Sequence, residues 1–158
     1  MANSHNEILE ADFELGFTYS RSPGIIIGKF LAALKQKQLY GIRGSDGSVL
    51  FPPTEYDPRN SAALDDFVPL KATGKLLYWT WIEEPRAHHN IDQPFAFGMV
   101  QLDGADIPFL HRVFANDAAL LSSGMSVEVQ WAAETVGAIT DIHGFVAVTE
   151  ATTAGGES

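Results

Sequence analysis

The sequence predicts a mainly β fold in which a small closed barrel of five strands follows an N-terminal helix. Three observations lead to this prediction. The chain has 158 residues, of which 46% are apolar, so it is large enough to bury one globular core. An early segment repeats apolar residues at helical spacing, and from residue 67 onward short apolar runs alternate with turn-forming residues.

Composition and charge exclude several functions. The chain has no cysteine, which excludes disulfides, thiolate metal sites and cysteine nucleophiles. Its formal net charge of -10 repels phosphate backbones, so we expect no unaided binding of nucleic acid. The first residues lack the pattern of a signal peptide, and no apolar stretch approaches the roughly 20 residues that cross a bilayer. We therefore expect a cytoplasmic protein without a membrane partner.

The predicted helix spans about residues 23–37. Pro23 suits a helix start, and Lys35 and Lys37 suit its C-terminal end. The stripe of apolar residues must pack on the domain's own barrel or on a partner. Its members are Ile25, Ile26, Ile27, Phe30, Leu31 and Leu34.

A hairpin is predicted next, over residues 39–53. Two short apolar runs flank a turn rich in Gly, Ser and Asp, and the pair Pro52 and Pro53 ends the second run. Residues 54–63 are polar and are predicted to form a loop.

Five strands are predicted in the remainder, with a polar loop at 83–93 and a helical turn at 117–121. In the fourth strand Val127, Val129 and Trp131 alternate with polar residues, which indicates one buried face. The size and rhythm match a five-stranded OB barrel, although other small barrels share that rhythm. The predicted strands are 76–82, 95–102, 108–114, 125–132 and 138–148.

Four ordered stretches together resemble the acyl-CoA-associated OB-fold family, once called a domain of unknown function. The resemblance covers about residues 18–148, and the family combines an N-terminal helix, a rubredoxin-like zinc ribbon and a C-terminal OB fold. The stretches are FPP (51–53) with YDP (56–58), WTW (79–81), PFAF (94–97) with VQLDG (100–104), and WAAE (131–134) with GAITD (137–141).

The resemblance implies a domain organisation and a lost metal site. The four zinc-binding cysteines of the family correspond here to Tyr40, Arg43, Asp57 and Asn60. Structural zinc needs four thiolate or imidazole ligands, so the resemblance implies a cysteine-free branch with a degenerate, metal-free ribbon and no cofactor. The implied segments are a flexible N-terminus (1–17), the helix and ribbon (18–66), the OB-fold barrel (67–149) and a disordered tail (150–158).

The resemblance also implies a function. Relatives pair with thiolases or thiolase-like lipid-transfer proteins, and in one setting the pair carries out retro-aldol cleavage of a steroid side-chain acyl-CoA. The chain is then expected to be an accessory subunit of a hetero-oligomer, without catalytic residues or activity of its own. The partner would supply the catalytic groups, and acyl-CoA would bind at the complex.

Five aromatic residues are candidates for the partner interface or the acyl-CoA path: Tyr78, Trp79, Trp81, Phe95 and Phe97. They also suit core packing, and less well a stacking platform for single strands. Strict alternation over 76–82 places Leu77, Trp79 and Trp81 on one face and Leu76 and Tyr78 on the other. Because a small barrel has one interior, something must then cover the outer face.

Other functions stay open. An independent acyl-CoA or small-ligand binding module would need cations for the CoA phosphates, and Lys29, Lys35, Arg43 and Arg86 are the candidates, each explained better as a solvated surface charge. A nucleic-acid-binding OB fold and an autonomous enzyme are further alternatives, although no nucleophile motif such as G-x-S-x-G is present.

The histidines are expected to be structural. Adjacent side chains such as His88 and His89 rarely point at one ion, so a solvated loop is expected for this pair rather than a metal site. His111 and His143 lie in predicted strands, where hydrogen-bonded barrel histidines are expected.

Overall fold

The computed structural model describes residues 13–19 and 21–148. Within them one α-helix precedes eight strands, and five of these strands close a barrel, which confirms the mainly β prediction. The predicted disordered tail and most of the predicted flexible N-terminus lie outside the described residues. In the described part of the chain, no helical segment has the length and hydropathy that a bilayer crossing requires.

Helix α1 (Ile25–Lys35) confirms the predicted helix, with slightly shorter bounds. Its buried residues bridge two cores: Ile26 packs with the small sheet described next, whereas Phe30 and Leu34 pack with the barrel. The first N–H groups of a helix lack helical partners. Here the Glu55 carboxylate accepts the N–H of Ile26 at 3.0 Å, so the loop after the hairpin caps the helix.

A three-stranded sheet with the order β2-β1-β3 lies beside the helix. The predicted hairpin is present as β1 (Leu39–Arg43) and β2 (Val49–Leu50). We expected the barrel to begin at residue 67, but β3 (Phe67–Leu70) pairs antiparallel with β1 instead. The Phe67 ring meets the Tyr40 ring edge-on at 6.2 Å and packs against the apolar cluster beneath α1, which stabilises β3 in the small sheet.

The barrel closes in the order β4-β5-β6-β8-β7, with β6 and β8 parallel and the other pairs antiparallel. This confirms the predicted OB fold. Four of the five predicted strands agree closely in position with the observed ones. The barrel strands are β4 (Thr73–Ile82), β5 (Phe95–Leu102), β6 (Phe109–Phe114), β7 (Ser126–Trp131) and β8 (Ile142–Ala147).

The prediction of a strand beginning at residue 138 was wrong, because Ile139–Asp141 forms a 3-10 turn and β8 begins at Ile142. The buried Asp141 carboxylate explains the turn. It accepts the N–H groups of Val136, Gly137 and Ala138 at 2.8 to 3.2 Å, which folds the chain back on itself. Burial alone would raise the pKa of Asp141, but the three N–H donors outweigh it and the pKa is lowered.

A β-bulge in β4 explains why apolar residues were predicted on both faces of this strand. The pairing register with β5 shifts between Leu76 and Tyr78, so side chains after the bulge change face. Leu76, Trp79 and Trp81 consequently all contact the barrel core, and Tyr78 is 72% exposed. The prediction that Trp79 and Leu76 lie on opposite faces was wrong, because strict alternation does not survive a bulge.

Asp57 joins the two loops of the small sheet. Its buried carboxylate accepts the N–H of Arg59 at 2.9 Å and the N–H of Ser45, in the hairpin turn, at 2.7 Å. These hydrogen bonds favour the ionised form and lower the pKa of Asp57. The carboxylate therefore stabilises the fold above its ordinary pKa, and this stabilisation is lost as the pH falls through the lowered value.

We expect Asp57→Ala to lower Tm at pH 7 by at least about 3 °C, because two backbone N–H groups lose their acceptor. Asp65→Ala is the control, since Asp65 is exposed. Thermal unfolding from pH 7 to pH 3 checks both. The difference between wild type and Asp57→Ala should shrink below about pH 4. Equal Tm values for the two variants would contradict this role of Asp57.

Candidate functional site

The outer face of β4, β5 and β6 carries an apolar row of three residues. Tyr78 pairs with Met99, and Met99 pairs with Leu110, so the three side chains lie side by side on neighbouring strands. Tyr78 is 72% exposed and Leu110 is 59% exposed, while Met99 is half-buried between them. We call Tyr78, Met99 and Leu110 the outer apolar row.

A second row lies beside the outer apolar row and adds a cation. Thr80 pairs with Phe97, and Phe97 pairs with Arg112. Phe97 and Arg112 are both half-buried. The two rows together form an apolar surface with one guanidinium group at its β6 side.

The loop between β4 and β5 covers the end of this surface. The His89 ring packs edge-on against Phe95 at 5.4 Å and against Phe97 at 6.0 Å, and Arg112 Nη2 donates to the His89 carbonyl at 3.2 Å. Partial burial, and then the positive charges around it, lower the pKa of His89. Phe95, whose side chain points outward from the barrel, is thereby fully buried.

The structure therefore divides the five candidate aromatic residues. Tyr78 and Phe97 lie on the outer face, Trp79 and Trp81 are half-buried against the barrel core, and Phe95 is buried under the loop. The sequence analysis missed Met99, Leu110 and Arg112, which complete the surface. Alternation in β6 puts Leu110 and Arg112 on one face, but only the strand register places them beside Tyr78 and Phe97.

The four candidate cations lie on three different elements: α1, β1 and the loop after β4. The Lys29 ammonium lies over the Phe67 ring, 5.6 Å from its centroid. Arg43 is paired with Asp66 at 3.0 Å and donates to the Gly47 carbonyl at 3.1 Å. Their role toward CoA phosphates stays a prediction.

The four positions that the resemblance matches to zinc ligands have different contacts. Tyr40 packs on Phe67, and Arg43 pairs with Asp66, so both side chains have partners within the small sheet. Asp57 links the two loops, and Asn60 Oδ1 accepts the N–H of Ala62 at 2.9 Å. Within residues 13–19 and 21–148, no group of three or more His, Asp or Glu residues is gathered closely enough to hold a metal ion.

A cleft of about 250 Å³ opens where β6 separates from β8. The observed pairing of these strands joins Val113 with Phe145 and Phe114 with Val146, so the first residues of β6 face an opening in the barrel wall. Apolar side chains dominate its lining, and three polar residues join them. The lining consists of Phe97, Leu110, His111, Arg112, Ile139, Thr140 and Ile142.

His111 faces the barrel interior and lines this cleft. Its ring packs against Phe109 at 5.1 Å and against Phe145 at 5.9 Å, and its buried Nδ1 has no hydrogen-bond partner. The hydrogen bond predicted for His111 is not made by Nδ1, which lies among aromatic rings. Burial first, and then the charge of Arg112, lower the pKa of His111 to about 4.

The other histidines follow the expectation only in part. The His88 and His89 rings lie 4.2 Å apart in a 3-10 turn, where His88 is exposed but His89 packs against aromatic residues. His143 lies in β8 as predicted, and its exposed ring stacks on Phe114 at 5.0 Å.

Comparison with known families identifies the barrel. Residues 67–132 match the family model described as the C-terminal OB-fold domain of ChsH2. The matched segment is similar to this OB-fold family, and it comprises β3 and four of the five barrel strands. The resemblance inferred from the sequence motifs is thereby confirmed for the barrel. No curated protein sequence is significantly similar to the chain.

Two solved structures are similar to this chain. One is described as the Ltp2-ChsH2(DUF35) aldolase, with a TM-score of 0.57 and 18% identity over 75% of this chain and 91% of that one. The other is a DUF35-family protein of unknown function from Sulfolobus solfataricus, with a TM-score of 0.55 and 17% identity over 69% of this chain and 80% of that one. At these identities the likeness establishes the fold.

We expect His111 to make the fold sensitive to mild acid. The unfolded chain takes up this proton near pH 6.5 and the folded chain only near pH 4, so stability falls as the pH falls between these values. The loss amounts to about 3 kcal/mol. Urea unfolding from pH 7 to pH 4 measures it.

His111→Leu should remove most of this slope, because leucine fits the aromatic surroundings and does not titrate. His143→Gln is the control for simple loss of an imidazole, since the His143 side chain is exposed. An unchanged slope in His111→Leu would contradict the buried, neutral state of His111.

Proposed function

We propose that this chain is a non-catalytic accessory subunit of a thiolase-like acyl-CoA enzyme complex. The match of the barrel to the ChsH2 OB-fold domain supports this proposal, as does the fold likeness to a protein described as an Ltp2-ChsH2(DUF35) aldolase. The single observation that carries it is the outer apolar row on the barrel surface, with Tyr78 at 72% and Leu110 at 59% exposure.

The outer apolar row has the chemistry of a protein interface. Apolar and aromatic side chains with an arginine beside them are enriched at the centres of interfaces. In a chain with net charge -10, three such residues in register on adjacent strands form an unusual surface. A partner that covers them would gain the burial that the barrel itself does not provide.

A segment ahead of the helix, without regular secondary structure, offers a second apolar surface. Four apolar residues alternate along it, and all of them are at least 65% exposed. Alternation at every second residue suits a strand that pairs with another edge, so the segment can add to a partner's sheet. Its apolar residues are Phe13, Leu15, Phe17 and Tyr19.

In this proposal the partner provides the bond-making groups and the chain shapes the path of the acyl-CoA. The reaction is cleavage of a C–C bond or transfer of an acyl group, with retro-aldol cleavage of a steroid side chain as the specific candidate. Tyr78 and Phe97 are the proposed contacts on this path, and the complex is a cytoplasmic hetero-oligomer. Exposed cations such as Arg86 are available to the CoA phosphates.

We expect the chain to co-purify with a thiolase-like protein encoded near its gene, and the variant Leu110→Asp to weaken that association by at least about tenfold. A charge placed in the middle of an apolar interface leaves an unpaired, desolvated group. Leu120→Asp is the matched control, because Leu120 is 61% exposed against 59% for Leu110 but lies in a turn away from the outer apolar row. Affinity measured by surface plasmon resonance compares the variants.

Two results would overturn the proposal. The first is that the chain stays monomeric when it is mixed with each thiolase-like protein encoded near its gene, since it would then have no partner of the proposed class. An equal loss of affinity in Leu110→Asp and Leu120→Asp would remove the outer apolar row from the interface.

A further inference from the structure

The cleft between β6 and β8 holds two polar groups whose hydrogen-bonding capacity is largely unused. A guanidinium group carries five N–H donors. The side chain of Arg112 donates one hydrogen bond, from Nη2 to the His89 carbonyl. The two ion pairs of the described residues involve Arg43 and Arg59, so no described carboxylate neutralises Arg112.

His111 presents the second group. Its buried Nδ1 has no hydrogen-bond partner, and the residue lines the cleft. The low pKa of His111 means that the ring is neutral at pH 7, and a neutral ring offers one N–H donor. A neutral donor beside a fixed cation suits an anion that accepts several hydrogen bonds.

The remainder of the lining is apolar. Phe97, Leu110, Ile139 and Ile142 form the walls, and the Thr140 hydroxyl lies among them. A fully hydrated anion such as phosphate would leave these walls uncovered. The walls therefore select a ligand with an apolar body attached to its charged group.

The volume limits the size of that body. A water molecule takes up about 30 Å³ in the liquid. A cleft of about 250 Å³ therefore has room for a small organic acid.

We propose that this cleft binds a small monocarboxylate with a branched or cyclic apolar body. The carboxylate accepts hydrogen bonds from the Arg112 guanidinium and from the His111 ring, and the body packs against Phe97, Ile139 and Ile142. The site shares Phe97, Leu110 and Arg112 with the surface proposed for the partner, so it is a site of the lone chain. It goes beyond the proposed accessory role, because no partner residue is needed to complete it.

Cyclohexanecarboxylate is the probe, and the full chain is the protein. Isoleucine methyl NMR shifts should saturate at Ile139 and Ile142 with a Kd of about 1 mM or tighter. Cyclohexylmethanol, which has the same body without charge, should bind at least about tenfold more weakly, and so should acetate, which lacks the body.

Three variants assign the contacts. Arg112→Gln should weaken binding by at least about tenfold, and His111→Leu should weaken it by about fivefold, because each removes donors to the carboxylate. Arg21→Gln should change Kd by less than about twofold, since Arg21 is exposed and outside the cleft. Should a variant fold poorly, wild-type ¹⁵N NMR of the His111 ring replaces it: a bound carboxylate raises the pKa of His111 above about 4.

The proposal is overturned if the two methyl signals do not saturate up to about 20 mM probe. It is equally overturned if the alcohol binds as well as the acid, or if the His111 pKa does not move on binding. These results are distinguishable from those of the partner test, which uses the two-protein complex and the variant Leu110→Asp.

Discussion

The short parallel pairing of β6 with β8 determines which residues of β6 line the cleft and which stay exposed on the outer face. Pairing at Val113 and Phe114 is enough to close the barrel, since the other four strand pairs are antiparallel and longer. The same brevity leaves the first half of β6 beside an opening rather than beside another strand. His111 and Arg112 reach the cleft for this reason, and Leu110 stays exposed on the outer face.

Buried carboxylates hold the irregular parts of the chain. Asp141 gathers three N–H groups and ends the turn before β8, and Asp57 joins the two loops of the small sheet. Hydrogen bonds to a charged acceptor are stronger than neutral ones, so one side chain can fix several backbone groups. In the small sheet this arrangement connects the two loops that a zinc ion is expected to join in metal-binding relatives.

The sequence predicted the helix and the barrel strands better than it predicted which side chains form the candidate site. Helical spacing located α1, and alternating apolar runs located four of the five barrel strands, because these signals are local. Three features depended on contacts that the sequence does not display. The β4 bulge turned Trp79 and Trp81 inward, β3 joined the small sheet, and Asp141 replaced the start of a strand by a turn. The candidate site needed the strand register as well, since Leu110 lies 32 positions from Tyr78 in the chain and joins it only through Met99.

The cap that Glu55 provides to α1 has a consequence for the order in which the chain folds. An isolated helix of 11 residues is only marginally stable in water, because the free energy of nucleation exceeds what so few turns contribute. The N–H of Ile26 donates to Glu55, which lies 29 positions downstream. Glu55 in turn lies two residues before Asp57, the carboxylate that joins the loops of the small sheet. The helix therefore gains its stability only once the loop after the hairpin has settled. Among the described elements, α1 comes first in the chain but is among the last to be stabilised.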